Sequence, residues 1–596
     1  MTDLSVKSWK KQRNEEESLN SQEGLKLGKN NAKKPLELAR TRLIVAGFIF
    51  TACFLVLGTR LLDLSLIGTD TESVTSRNYT AAEMTLARRD IVDRNNIVLA
   101  TNLPTDSLFV EPKEVLEPEK SLAKIKTVLP RININSLLSV INSGGSFHWI
   151  ARNLTPEQVW QINNLGLPGF KFIKEEKRVY PHGSLFAHAL GFAGVDNRGL
   201  TGIEASLDNR LTGVANVNAE PLKTSLDVRV QHALTLELSE AMASFKAKGA
   251  SGLVIDVHTG ELIAMASLPS FDLNLYKESS ANERFNRATL GVYELGSVFK
   301  AFNTALALDS GLVKIEDSYD ATKPLKVSRY FIRDDHPENR WLTVPEIFIH
   351  SSNIGSAQIA MDIGSERQRK FLSQLGMLEP IKLEIPESGR PLSPSKWRDI
   401  NTMTVAYGHG IAVTPLHAIN GFAAMVNGGI KRQPTLLYQD EIHNRNISGK
   451  RVIGADTSLT MRKLMYRAVT EGTGSNAQVE GYLVGGKTGT AEKAKAGGYE
   501  RKAVISTFIA AFPIENPLYA VLVSLDEPRG NKHTHNYAGA GWTAAPATGR
   551  IISKIGPLLG VPPSTANIAF PAEQKITRPI KNIIRTEFRR SESATF

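Results

Sequence analysis

Residues 43–58, LIVAGFIFTACFLVLG, form an uncharged run bounded by Arg42 and Arg60. A helix from this run would lack the polar face that a helix on a globular core needs. At 1.5 Å per residue, positions 43–59 reach about 25 Å, slightly short of a bilayer core. The following LLDLSLIG extends the apolar character, and the Arg60 side chain is long enough to snorkel. A cleaved leader fits poorly, because the preceding segment is too long and no small-x-small site follows. The run therefore predicts a single membrane-spanning helix over 42–66. Lys10, Lys11, Arg13, Lys33, Lys34 and Arg40 precede it and Asp63, Asp70 and Glu72 follow, which predicts a cytoplasmic N-terminus. Residues 1–41 read as a polar tail, and everything from about 67 is expected outside.

The remaining length of this 596-residue chain calls for two or three folded units. Its net charge of +11 is scattered, with no basic stripe interleaved with aromatics, so a membrane surface or an acidic polymer suits it better than nucleic acid. The only cysteine, Cys53, lies within the apolar run, which excludes an intrachain disulfide and a thiolate metal cluster. His533 and His535 lack further ligands nearby, so neither metal nor cofactor is expected.

From about 67 to 220 the sequence reads as an α+β module. RRDIVDRNNIVLATN predicts strand, turn and strand around Asp93 to Asn96, where Asn95-Asn96 tolerates left-handed geometry. HALGFAG at 188–194 and GLTGIE at 199–204 read as structural turns. A second unit, 221–570, opens with an amphipathic helix carrying Val230, Ala233, Leu234, Leu236 and Leu238, preceded by Thr224 or Ser225 as cap. SGLVIDV and ELIAMAS around His258-Thr259-Gly260 predict a hairpin. A helix follows HSS at 350–352, and another begins at Thr414-Pro415. GYLVGGKTGTAEK reads as a glycine-rich strand beside a hairpin of ISTFIAAF and YAVLVSLD, with PATGRIISKIGPLLG as closing helix. Helices against antiparallel strands make the unit α+β. Residues 571–596 form a basic tail.

GVYELGSVFKAFNTALALDSG, 291–311, places Ser297 and Lys300 three apart at the start of an apolar helix. That spacing sets hydroxyl and amine one turn apart on one face, so the amine is placed to take the hydroxyl's proton. Gly296 permits a tight turn, and the helix N-terminus favours an oxyanion beside Ser297. Val298, Phe299, Phe302, Ala305 and Leu306 would desolvate Lys300 and lower its pKa. Ser-x-x-Lys alone is common. Here it is followed by Ser351-Ser352-Asn353 and then by Lys487-Thr488-Gly489-Thr490. That order and spacing are characteristic of penicillin-interacting serine acyl enzymes.

With RRDIVDRNNIVLA, GLTGIE, TSLDVRVQ, HTGELIAMASLPSFDLN, YELGSVFK and YGHGIAVTPLHA, the chain resembles a class B penicillin-binding protein, most nearly the division-specific type. The resemblance implies a membrane-anchored peptidoglycan D,D-transpeptidase with an elongated membrane-proximal pedestal (67–220) and a distal transpeptidase domain (221–570). Its implied substrate is the stem pentapeptide, and β-lactams would acylate the same serine. Its implied partners are a membrane glycosyltransferase and other division proteins at the septum of the inner membrane, with the catalytic domain periplasmic. The resemblance assigns attack to Ser297, the base to Lys300, proton passage towards the leaving amine to Ser351, and a hold on Lys300 and the substrate backbone to Asn353. Lys487 would supply positive charge, and Thr488 and Thr490 would bind the terminal carboxylate. Backbone N–H groups of Ser297 and Thr490 would form the oxyanion hole. A side chain at Gly489 would block substrate lying along its strand as an added strand. No glutamate is evident for a deacylating water, against a β-lactamase. Leu295 stands where proline is usual, His417 where glutamine is, and Arg89 and Asn96 where glycines are. An elongation-type transpeptidase, and a division scaffold or β-lactam sensor with dispensable catalysis, are the competing readings.

Overall fold

The computed structural model describes residues 44–45, 47–59, 88–212, 220–328, 330–439, 449–495 and 498–563. The expected tails 1–41 and 571–596 lie outside these residues. Residues 47–59 are helical, with Phe48, Phe50, Phe54, Leu55 and Val56 exposed. Among the described residues no helix is long and apolar enough to cross a membrane. The ends of the predicted 42–66 span fall outside them.

Beyond residue 84 the chain forms a unit of its own. Its first sheet contains β1 (Ile91–Val92), β2 (Val98–Val110), β3 (His148–Leu154), β4 (Phe170–Val179) and β5 (Leu222–Lys223). β2 pairs antiparallel with β1, β3 and β4, and β1 runs parallel to β5. The predicted turn joins β1 to β2: the Asp93 carboxylate accepts the N–H groups of Asn95 and Ile97 at 2.7 and 2.8 Å. Asn96 adopts φ 66°, a left-handed conformation that asparagine tolerates, which accounts for its standing in a glycine's place. The other Asp93 oxygen accepts Val228 N–H at 3.2 Å, tying this turn to the first helix of the second part.

GLTGIE acts structurally, as the sequence indicated. Glu204 is fully buried and its two oxygens receive Arg88 Nε at 2.5 Å and Arg178 Nε at 2.7 Å. Two buried guanidiniums around one carboxylate satisfy charges that would be costly alone. Backbone approach is close here too: a Cβ on Gly191 would fall 2.0 Å from Thr201 O.

The second part is built on a sheet of β6 (Gly249–Asp256), β7 (Leu262–Leu268), β8 (Gly485–Lys495), β9 (Gly498–Phe512) and β10 (Tyr519–Asp526). The order is β8-β9-β10-β6-β7, antiparallel throughout, so both predicted hairpins form and β8 lies at an edge. Around it are α1 (Val228–Ser244), α2 (Phe299–Asp309), α3 (Asn353–Ile363), α4 (Pro415–Val426), α5 (Ala455–Thr470) and α6 (Ala544–Leu558). Side chains alternate along β10: Val521 and Val523 join the cluster of α1 and α6, while Ala520 and Leu522 join that of α2 and α4. Both faces are covered, which is why these strands read as continuous apolar runs rather than alternating ones.

α1 begins later than expected. Its cap is Asp227, whose carboxylate accepts Arg229 and Val230 N–H, rather than Thr224 or Ser225. Those two serve the chain's entry instead: Thr224 hydroxyl donates to Val92 O at 2.9 Å and Ser225 hydroxyl to Leu262 O at 2.7 Å. α4 does start at Thr414-Pro415. Its Thr414 oxygen accepts His417 N–H, and the imidazole completes the cap with Nδ1 2.7 Å from Thr414 Oγ1 and Nε2 2.9 Å from Glu379 O. His417 is thus a buried structural residue whose pKa burial lowers.

Candidate active site

The turn that presents Ser297 is a 3-10 segment, Gly296–Val298, running into α2. Gly296 takes φ 54°, and a Cβ there would meet Thr490 O at 2.5 Å, so the turn lies in backbone contact with β8. Leu295 has φ −100°, outside the range a proline ring permits, and its side chain is fully buried. The leucine therefore anchors the turn in the core by packing, where proline would fix it by its ring. Ser297 is half-buried, while its neighbours Val298, Phe299 and Phe302 are buried in the core.

Lys300 lies under the nucleophile. Its ammonium nitrogen is 2.9 Å from Ser297 Oγ and 3.0 Å from Ser351 Oγ, and it also donates to Ser351 O. Lys487, from β8, donates to the same Ser351 Oγ at 3.0 Å. Both lysines are 1% exposed. Burial lowers Lys300 to a pKa of about 7, opposed by the charges of Asp334 and Asp335. Burial pushes Lys487 well down as well, and Lys300 adds to that by repulsion. Two buried amines sharing one hydroxyl do not readily both carry charge. One neutral amine beside a serine hydroxyl is what proton abstraction requires.

Ser351 reaches both lysines from a strained backbone, with φ 61°. Immediately after it, Ser352 caps α3, its oxygen accepting Gly355 N–H at 3.0 Å. Asn353 differs from expectation. Its amide donates to Arg333 O at 2.9 Å and makes no bond to Lys300, because Asn353 is drawn onto the 333–334 turn. Asp334 is a member of the site that the sequence reading missed. Its carboxylate receives Ser352 hydroxyl at 2.8 Å and the N–H groups of Asn353 and Ile354 at 2.6 and 2.9 Å. Only the acidic pair Asp334-Asp335 in a polar stretch signalled it, and that pair carries no periodicity.

Thr488 and Thr490, two apart on β8, share one face of the strand. Thr488 Oγ1 is 2.6 Å from Thr473 Oγ1, and Thr490 Oγ1 accepts Ala540 N–H at 3.0 Å. Thr473 was likewise not foreseen. Gly489 has a reason within the fold as well: its Cβ would fall 2.2 Å from Leu295 O and 2.7 Å from a Val298 methyl. The glycine lets β8 close on the nucleophile turn. Among the described residues no group of three His, Cys, Asp or Glu is placed to hold a metal ion. The His535 ring packs edge-on to Trp542.

Ser297, Lys300, Ser351 and Lys487 thus converge in one hydrogen-bonded chain, with Thr488, Gly489 and Thr490 on the strand beside it. The same segments match known proteins. The family description of the penicillin binding protein transpeptidase domain matches residues 250–552, and that of the penicillin-binding protein dimerisation domain matches 83–224. A probable peptidoglycan D,D-transpeptidase FtsI of Caulobacter vibrioides is 39% identical over 83% of this chain and 85% of its own. A probable peptidoglycan D,D-transpeptidase PenA of Neisseria meningitidis is 33% identical over 80% of this chain and 85% of its own. A crystal structure of a peptidoglycan synthetase from Bifidobacterium adolescentis superposes with a TM-score of 0.63 at 22% identity, covering 81% of this chain and 97% of that one, a likeness of fold.

Proposed function

The chain belongs to the class B penicillin-binding proteins, and on that premise we propose that it crosslinks peptidoglycan stem peptides during septal wall synthesis as a D,D-transpeptidase. The observation that carries this reading is the Lys300 nitrogen 2.9 Å from Ser297 Oγ. Ser297 oxygen attacks the carbonyl of the penultimate D-alanine, and its proton passes to Lys300. As the C–N bond breaks, Ser351 hands a proton to the departing D-alanine amine and takes one in return from Lys300, 3.0 Å away. The Ser297 and Thr490 N–H groups receive the tetrahedral oxygen. An amine of a neighbouring stem then attacks the acyl-enzyme; it gives a proton to Ser351, Lys300 passes one to the Ser297 oxygen as the ester bond breaks, and the crosslink forms with Ser297 released.

Thr488 and Thr490 bind the stem's terminal carboxylate in this scheme, and Lys487 supplies positive charge. An arriving carboxylate favours the charged form of Lys487, opposing the effect of burial. A β-lactam takes the donor's place and acylates Ser297. Asn353 comes to the substrate backbone from the N-terminus of α3. No cofactor enters any step.

The exposed apolar helix at 47–59, continued by the apolar run in sequence, supports a single-pass anchor at 42–66. Residues 1–41 then lie in the cytoplasm, 67–220 form the pedestal, and 221–570 the periplasmic transpeptidase domain. The basic tail is 571–596. A membrane glycosyltransferase and other division proteins are the partners. Depleting the protein is expected to give filaments without septa, with a fluorescent fusion concentrated at midcell. Rounded cells and side-wall fluorescence would favour the elongation reading.

A further inference from the structure

The Ser351–Asn353 turn has a task that its own residues do not fulfil. Ser351 must hold a left-handed backbone so that both its carbonyl and its hydroxyl meet Lys300. Such a conformation at a non-glycine residue persists only where neighbours impose it. α3 begins directly behind this turn, so the positive end of its dipole lies beside two buried lysines. The two lysines and the helix terminus all favour negative charge in that corner.

We propose that Asp334 is a positioning residue of the acyl-transfer site, locking the Ser351–Asn353 turn against Lys300 and supplying the negative charge that balances the two lysines and the α3 terminus. The proposal rests on the transpeptidase reading of the site. Geometry supports the lock. One Asp334 oxygen takes the N–H groups of Asn353 and Ile354, and the other takes the Ser352 hydroxyl, so three successive residues after Ser351 are pinned by one carboxylate. Ser352 oxygen in turn accepts Gly355 N–H, so cap and carboxylate form one network. Asp334 follows the short hairpin Leu325–Val327 and Tyr330–Ile332, which carries it to the site from outside the three motifs.

The charge argument has a defined sign. The charged groups facing Lys300 are Lys487 from β8 and Asp334 and Asp335 from the turn. The carboxylates hold the Lys300 proton more firmly, and burial loosens it. Removing the Asp334 charge leaves burial less opposed, so Lys300 becomes neutral at lower pH. As base it then works further into acid, with less driving force for taking the proton.

The test is the second-order rate of labelled-penicillin acylation against pH, measured on the full chain in detergent. Asp334→Asn keeps an amide oxygen for the two N–H groups and removes the charge. The expected result is an acid limb displaced by about one unit to lower pH. Asp334→Ala also removes the cap, and its plateau rate is expected to fall at least about tenfold below that of Asp334→Asn. Asp335→Asn, on an exposed side chain without cap contacts, is expected to move the limb the same way by less. A limb left in its wild-type position in Asp334→Asn would overturn the charge role, and a plateau in Asp334→Ala equal to that of Asp334→Asn would overturn the lock; should Asp334→Asn not fold, an Asp334→Ala limb and plateau matching the wild type would overturn both. These results stand apart from the transpeptidase reading, which fails if the wild type is not acylated.

Discussion

Replacing Ser297 by alanine is expected to abolish covalent labelling by penicillin and to stop crosslinking, a loss of about 10⁴-fold or more. The change removes one oxygen from a half-buried position, and the surrounding core, Leu295, Val298, Phe299 and Phe302, keeps its packing. The variant should therefore fold with wild-type stability, which a thermal melt would verify. Cells dependent on the variant should form filaments. Normal septation with it would mean that the protein serves division as a scaffold, and labelling at the wild-type level would remove Ser297 from the mechanism.

The second large effect belongs to Lys300. Lys300→Met, chosen to keep the buried volume, is expected to slow acylation by about 10²- to 10⁴-fold, the range for loss of a positioned general base. In the wild type the base is neutral above its pKa of about 7 and protonated below it. The acylation rate should therefore fall towards tenfold per unit as pH drops below about 7, and level off above. Stopped-flow or quenched labelling across that range checks both statements. If Lys300→Met keeps a near-normal rate, or if the wild-type limb lies near the ordinary lysine range, the proton goes elsewhere. Lys487 is the next amine along the chain of hydrogen bonds, but it reaches Ser297 only through Ser351 and Lys300.

Most of what builds this site is local, and local features are legible in sequence. Apolar runs marked β6, β7, β9 and β10. Thr414-Pro415 marked the start of α4, and Asp93 to Asn96 the tight turn between β1 and β2. The three motifs marked the chemistry because their residues are adjacent within each motif, and only their order had to be recognised. Contacts that join distant stretches left no such trace. Asp334 is bound to Ser352 and Asn353 through a turn with no periodicity, and Thr473 meets Thr488 from another element. The close approach that Gly489 permits is hidden for a related cause. A single strand reveals that a glycine is present, but not which neighbour comes within 2.2 Å of its missing Cβ. The cap of α1 was misplaced by two residues or more because Thr224, Ser225 and Asp227 are all good capping residues. Tertiary bonds to Val92 and Leu262 had already engaged the first two.

The central claim is that one serine, served by one buried lysine, forms the covalent acyl-enzyme. Its most direct test is to incubate the full chain with penicillin, digest it, and locate the adduct by mass spectrometry. The account predicts a single penicilloyl group on the peptide containing Ser297, persisting for many minutes because the bound drug leaves slowly. An adduct on any other residue, or rapid hydrolysis of the drug with no trapped adduct, would contradict it.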